Sequence, residues 1–363
     1  MLLLLITRIS GMKFTRVKLK HFQKKTYDQL LLIEEGVRGG FSGVLGDRFV
    51  EVDGNKGNSL YYFDANSLHP TAMVDELPTG EMRFCKDNKY VKTILNPPIR
   101  YIYAVDLKYP EELRDKIQHF PFCPRKVKVP ESSLSQWQKE NNPMNYKTTQ
   151  KLIQTQNDLK KYVVEEFNIK KRTESKLKGN KFGDLFYKLL NNAFYGKTLE
   201  NVRNRQSIEI VGTKEKLKSI TAKAGFQRMK IFSEECAAVH FKKNKIKYDK
   251  FNYIGFVILE LSKLYMYKFI YDVLYENYKD NYRIHFGDTN SFILELLNNE
   301  KIEKIKYYIH ETKVGYFKDK IGLNKKILDF CGLKAKLYFL NIKDLSNDNY
   351  ILHKRVQGYT KPH

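Results

Sequence analysis

At 363 residues the chain is long enough for two or three domains and a large core. Its 65 Lys and Arg against 41 Asp and Glu leave a formal charge of +24, which implies a polyanionic partner, most simply nucleic acid. No apolar run is long enough to span a bilayer, so no membrane partner is expected. The four scattered cysteines and eight unpatterned histidines offer no disulfide framework and no metal-ligand spacing, which suits an intracellular setting.

The apolar start, Met1 to Ile6, reads as a strand, or as an arbitrary start inside a longer ancestral chain, rather than a signal peptide, because Arg8 and Lys13 follow at once. Tyr27 to Glu35 reads as a helix. The segment Val37 to Arg48 contains Gly39, Gly40, Gly43 and Gly46, which permits tight turns and close backbone approach but equally describes a plain loop. Next comes Tyr61-Tyr62-Phe63-Asp64, an aromatic strand ending in a carboxylate, followed by Ala65-Asn66-Ser67-Leu68-His69-Pro70. Pro70 cannot extend the strand, so Asp64 stands at a strand end as a helix cap or as a metal ligand. Ile99 to Leu107 reads as a strand, 108–150 as a proline-rich insert, and Lys151 to Phe167 as a basic helix.

In Lys188 to Gly196, helical spacing puts Lys188, Asn192 and Tyr195 on one face, with Lys181 a heptad earlier. Such a face offers a triphosphate a cation, an amide and a flat ring. It also describes a solvated helix capped by Gly196, with Leu185, Leu189 and Ala193 as its packing side. Ser207 to Val211 and Ala237 to Phe241 read as strands. Residues 254–278 read as a long helix with a core stripe of Met266, Phe269, Ile270, Val273 and Leu274. Arg283 to Leu294 reads as a hairpin with Gly287-Asp288-Thr289-Asn290 at its tip. Gly332 to Tyr338, if extended, puts Lys334, Lys336 and Tyr338 on one face, suited to a nucleic-acid backbone.

In this order, the segments resemble the motifs of family B DNA polymerases. The likeness is to the protein-primed branch found in phages, linear plasmids and Maverick/Polinton-type mobile elements. Asp64 to Pro70 is similar to the first palm motif, aspartate–x–x–Ser–Leu–Tyr–Pro, and Lys188 to Gly196 to the fingers motif, Lys–x3–Asn–Ser–x–Tyr–Gly. Phe286 to Ser291 is similar to the second palm motif, Tyr–x–Asp–Thr–Asp–Ser, and Lys336 with Tyr338 to the Lys–x–Tyr motif. Val37 to Gly40 resembles the Tyr–x–Gly–Gly linker.

The resemblance implies an α+β palm–fingers–thumb fold: an N-terminal segment and linker over 1–50, palm over 51–107, and an insert over 108–150. Fingers follow over 151–202, palm again over 203–339, and a thumb remnant over 340–363. It implies DNA-directed DNA synthesis on a primer-template with deoxynucleoside triphosphates, a terminal priming protein as partner, and two Mg²⁺ or Mn²⁺ ions held by Asp64 and Asp288. Asp64, Asp288 and Asn290 would be catalytic. Ser67, Leu68, His69, Lys181, Lys188, Asn192 and Tyr195 would bind nucleotide, and Arg38, Gly39, Gly40, Gly196, Lys334, Lys336 and Tyr338 would bind DNA.

The sequence departs from the family at telling places. Asn290 replaces the second hairpin aspartate, a metal ligand. Losing that charge commonly costs several kcal/mol of barrier, on the order of a thousandfold in rate, so catalysis is expected to be strongly weakened and to recover in Asn290→Asp. A non-catalytic, DNA-binding descendant is therefore the alternative to an active enzyme. His69 replaces the tyrosine under the incoming sugar, and Ala193 replaces a serine. No exonuclease domain is expected before Gly36, and the 25 residues after Tyr338 are too few for a full thumb.

Overall fold

The computed structural model describes residues 27–53, 56–78, 171–172, 174–243, 245–322 and 324–356, with short pieces between 82 and 160. The expected strand at Ile99 to Leu107 apart from Ile102, most of the 108–150 insert, and the expected N-terminal strand lie outside the described residues. So does most of the expected helix Lys151 to Phe167, whose described pair Leu159–Lys160 is a strand instead.

Helix α1 (Tyr27–Gly36) opens the described chain. Three strands follow, β1 (Ser42–Val44), β2 (Phe49–Glu51) and β3 (Ser59–Ala65), then α2 (Leu68–Val74) and β4 (Leu77–Pro78), which pairs with β5 (Leu159–Lys160). Helix α3 (Lys181–Thr198) starts at Asn180, whose side chain accepts from the Gly183 N–H. It runs through Gly196 and ends at Leu199, so Gly196 is not its cap. Leu185 and Leu189, expected to pack, are exposed, and Leu190 is buried instead.

A small three-stranded sheet is built from β6 (Gln206–Val211), β7 (Phe226–Ser233) and β8 (Cys236–Lys242), ordered β6-β8-β7. Helix α4 (Lys214–Thr221) covers part of one face through Ile220 against Val211, Val239 and Phe241. Neither α4 nor β7 has a counterpart among the sequence expectations.

Helix α5 (Asn252–Lys268) passes into a π-helical turn (Phe269–Leu274) and a last α-turn, α6 (Tyr275–Tyr278). The expected stripe of Met266, Phe269, Ile270, Val273 and Leu274 is buried. It packs on the main sheet, which adds β9 (Tyr282–Asp288), β10 (Ser291–Leu296), β11 (Phe317–Asp319), β12 (Lys325–Lys334), β13 (Leu337–Asp344) and β14 (Tyr350–Val356). Its order is β1-β9-β10-β3-β12-β13-β14, with β11 also on β3 and β2 on β12, every pairing antiparallel.

This pairing positions the site. Strand β3 lies between β10 and β11 at its C-terminal end, with Asp64 opposite both Ser291 and Lys318. An aromatic cluster anchors the sheet beneath: the Phe292 ring lies 5.9 Å from Phe63 and Phe269 and 5.7 Å from Phe317. Helix α5 crosses α3 closely at Gly255, where a Cβ would collide with Thr198 and Leu199.

Candidate active site

Asp64 lies within β3, so it is a strand-end carboxylate and not a helix cap. The residue at the cap of α2 is Ser67, held at φ 54° with no side-chain capping bond. Its hydroxyl is instead the acceptor for Arg172 Nη1 at 2.8 Å, and Arg172 Nε pairs with Asp184 of α3 at 2.8 Å. The turn after Asp64 is therefore tied to the base of α3. Thr289, at the hairpin tip, also has positive φ, 61°, as does Lys336, 58°. A β-branched residue there is a genuine outlier, and such strain collects at functional sites.

The hairpin brings Asp288 and Asn290 beside Asp64. Asn290 Nδ2 donates to Asp64 Oδ1 at 2.8 Å, and the Ala65 N–H donates to the Asn290 carbonyl at 2.7 Å. Asp288 accepts from the Ser42 hydroxyl at 2.9 Å, and Lys336 Nζ lies 3.8 Å from the same oxygen. The other Asp64 oxygen faces two ammonium groups, Lys320 at 3.0 Å and Lys318 at 3.5 Å. Asp64 is only 7% exposed. Lys320 also donates to the Tyr62 hydroxyl at 3.4 Å and lies over its ring. Burial works against its charge, but Asp64 and Tyr62 together hold its pKa above the ordinary lysine value.

Two divalent ions do not fit this arrangement. Two carboxylates face three ammonium groups, and an amide, Asn290, stands where the resemblance expects the second aspartate of the hairpin. Among the described residues no group of three or more His, Cys, Asp or Glu side chains is placed to hold a metal ion.

The expected primer-side face takes a different form. Gly332 to Tyr338 is not extended: β12 ends at Lys334, and β13 begins at Leu337, with Lys336 in the turn between them. Gly332 pairs with Tyr338 across the turn. Lys334, Lys336 and Tyr338 therefore do not share one face by alternation: Lys334 is exposed, and Tyr338 is buried. The Tyr338 hydroxyl bonds to that of Tyr62 at 2.7 Å. Burial and that partner raise its pKa.

On the nucleotide side, the His69 ring stacks on Tyr195, with centroids 4.5 Å apart and planes inclined by 23°. His69 Nδ1 lies 2.9 Å from Ser262 Oγ, which itself donates to the Ile258 carbonyl at 2.7 Å. The serine proton is thus committed, so His69 donates from Nδ1. Burial lowers the His69 pKa, which keeps the ring neutral, and burial raises that of Tyr195. Lys181, Lys188, Asn192 and Gly196 lie exposed along α3. The side chain of Leu68 is buried in the core, so only its backbone is open to a ligand.

Gly40 approaches Thr289 so closely that a Cβ would lie 3.0 Å from its methyl, and the Thr289 N–H donates to the Phe41 carbonyl at 2.7 Å. The glycine segment is thus part of the site and not a plain loop. Gly39 is exposed, and Arg38 is half-buried near Glu260. Sequence reasoning missed Ser42, Arg172, Lys318, Lys320 and Ser262. It also missed Lys176, whose pKa is lowered by burial and by the positive charges of Arg172, Lys318 and Lys188. Those last four residues form one positive field that no local spacing reveals.

An antiparallel sheet offering aspartates from the two strands that flank β10, with a basic helix tied to the turn beside them, is the palm-and-fingers fold of DNA polymerases. The chain belongs to the family described as DNA polymerase type B, organellar and viral, which matches residues 13–274. Among solved structures it is similar to Phi29 DNA polymerase complexed with primer-template DNA in a post-translocation binary complex, with TM-score 0.53 and 15% identity over 98% of this chain and 59% of that one. The ternary complex of Phi29 DNA polymerase with primer-template DNA and incoming nucleotide gives TM-score 0.53 and 16% identity, covering 99% and 60%. Phi29 DNA polymerase complexed with single-stranded DNA gives 0.52 and 18%, covering 98% and 59%. The chain thus spans about 60% of the length of the polymerases it matches. No curated protein matches the chain. No helix among the described residues is long and apolar enough to cross a membrane.

Proposed function

We propose that this chain holds primer-template DNA and a deoxynucleoside triphosphate as a template-directed DNA polymerase does, and that its nucleotidyl transfer to a primer 3′-hydroxyl is severely slowed. Its likeness to the protein-primed branch extends the proposal to replication of a viral or mobile element, with a terminal priming protein as partner. The observation that carries the slowed step is the bond from the Asn290 amide to Asp64, where the family has a second carboxylate. Divalent ions, Mg²⁺ or Mn²⁺, supply charge neutralisation to this reaction when bound, and the residues present do not fit a pair of them.

What the chain retains is binding. Lys188 and Lys176 share a positive field with Arg172 and Lys318, suited to the phosphates of a nucleotide. Tyr195 and His69 offer a stacked pair to the base and sugar. His69 is smaller than the family tyrosine, so exclusion of a 2′-hydroxyl is expected to be relaxed. Lys334, Lys336 and Arg38 would meet DNA phosphates without regard to sequence. Active synthesis is the second reading, favoured by the presence of both Asp64 and Asp288 at the ends of the two strands that flank β10.

Primer extension by the full chain, beside Asp64→Ala, tests this. The expected result is salt-dependent duplex binding, with incorporation indistinguishable from the Asp64→Ala background. Ordinary turnover by the unaltered chain would overturn it.

A further inference from the structure

In a site with bare carboxylates, an incoming triphosphate is repelled until cations arrive. Here that repulsion is already cancelled. Lys320 and Lys318 lie 3.0 and 3.5 Å from one oxygen of Asp64, the Asn290 amide bonds to the other at 2.8 Å, and Lys336 lies 3.8 Å from Asp288. Two carboxylates against three ammonium groups leave a net positive charge before any ion binds. Lys320 is also held from a second side, by the hydroxyl and ring of Tyr62, and Tyr62 is fixed in turn by Tyr338. It is a positioned cation rather than a wandering surface lysine.

We propose that Lys320, supported by Lys318, is a built-in cation that stands in for divalent metal at Asp64, so that the cleft takes up a nucleotide without metal. This rests on the polymerase-like binding just argued, and it predicts, against the expectation from sequence, that Asn290→Asp alone does not recover activity. A new carboxylate at 290 would leave both ammonium groups in place on the far oxygen of Asp64. A divalent ion would have to displace them and lose the ion pairs they make with Asp64. Lys318 lies directly opposite Asp64 on β11, and Lys320 lies two residues further along the chain. Their placement follows from strand pairing and persists through a change in the hairpin.

The test uses Mn²⁺ alone as a probe, its binding counted by electron paramagnetic resonance on the full chain. The unaltered chain and Asn290→Asp are expected to bind Mn²⁺ no more tightly than Asp64→Ala. The triple variant Asn290→Asp, Lys318→Gln, Lys320→Gln is expected to bind it at least about tenfold more tightly. Tight binding by Asn290→Asp alone, or no gain in a folded triple variant, would overturn the proposal. Either outcome leaves the slowed reaction of the unaltered chain standing. Circular dichroism confirms folding of each variant.

A second measurement does not depend on the triple variant. Binding of a deoxynucleoside triphosphate to the complex with a dideoxy-terminated primer-template is compared in EDTA and in Mg²⁺. Affinities within about twofold support the proposal, as does selective loss of the EDTA binding in Lys320→Met. Nucleotide binding that requires Mg²⁺ overturns it. Absence of any nucleotide binding, with or without metal, overturns the binding reading beneath it as well.

Discussion

Beneath the hairpin lies a buried network that demands a carboxylate. His285 is fully buried, and Glu295 nearly so. The Asp47 N–H donates to His285 Nδ1 at 3.0 Å, so the ring proton sits on Nε2, which lies 2.9 Å from Glu295 Oε2. The other oxygen, Oε1, accepts from Asn58 Nδ2 at 2.7 Å, and Asn58 Oδ1 accepts from the Asp53 N–H at 2.9 Å. Both oxygens of Glu295 therefore meet donors, and neither donor can turn round without losing another bond. Glu295→Ala leaves the His285 Nε2–H without a partner and takes from Asn58 Nδ2 one of its two bonds, the other going to the Glu51 carbonyl at 3.0 Å; at about 1–3 kcal/mol for each lost bond, the cost is roughly 2–6 kcal/mol in all. Glu295→Gln is nearly the same size, yet its amide must point a donor at either His285 or Asn58. It should cost about 1–3 kcal/mol. Urea unfolding followed by tryptophan-independent circular dichroism measures both. A Glu295→Gln chain as stable as the original, to within about 0.5 kcal/mol, would refute the donor argument. The pH dependence has a definite sign. Burial pushes the Glu295 pKa up, but the bonds from His285 and Asn58 outweigh it, and the net shift is downward. The stability it contributes is present above the ordinary glutamate pKa and is lost as pH falls through its lowered folded value.

Three further outcomes are expected. His69 has a lowered pKa through burial, so its contribution is present above the ordinary histidine value, about pH 6.5, and is lost as acid charges the ring; thermal melting against pH should fall more steeply on the acid side than in His69→Gln. Phe292→Ala, which removes a ring packed on Phe63, Phe269 and Phe317, should cost about 3–5 kcal/mol in urea unfolding. Gly255→Ala should drive α3 away from α5 at a cost of about 1–3 kcal/mol, with weakened nucleotide binding as the accompanying readout.

The parts of the site that a local pattern encodes were legible in the sequence. The aromatic strand to Asp64, the hairpin at Asp288 and Asn290, the helix bearing Lys188 and Tyr195, and the core stripe from Met266 to Leu274 all form as their spacing implies. What was hidden depends on pairing between distant segments. Nothing around Lys318 and Lys320 announces that β11 lies against β3, so their partner Asp64 is invisible until the sheet is assembled. The run Gly332 to Tyr338 alternates well enough for a strand, but Lys336 takes positive φ and turns the chain back. Leu185 and Leu189 have the spacing of a packing face, yet the tie through Arg172 and the crossing at Gly255 present Leu190 inward instead. Local periodicity states which residues share a face, and the neighbouring element decides which face is covered.

The grip of the glycine segment on the hairpin tip bears on how portable this site is. Asp288 is aimed by Ser42, Thr289 is held by the Phe41 carbonyl, and Leu45 and Gly46 both donate to the His285 carbonyl. All of these holds come from a stretch more than two hundred residues upstream in the chain. Grafting the hairpin sequence onto another sheet would carry its residues but not its aim. A transplant would need residues 40–46 as well, and an insertion in that short stretch should disturb Asp288 as much as a mutation beside it.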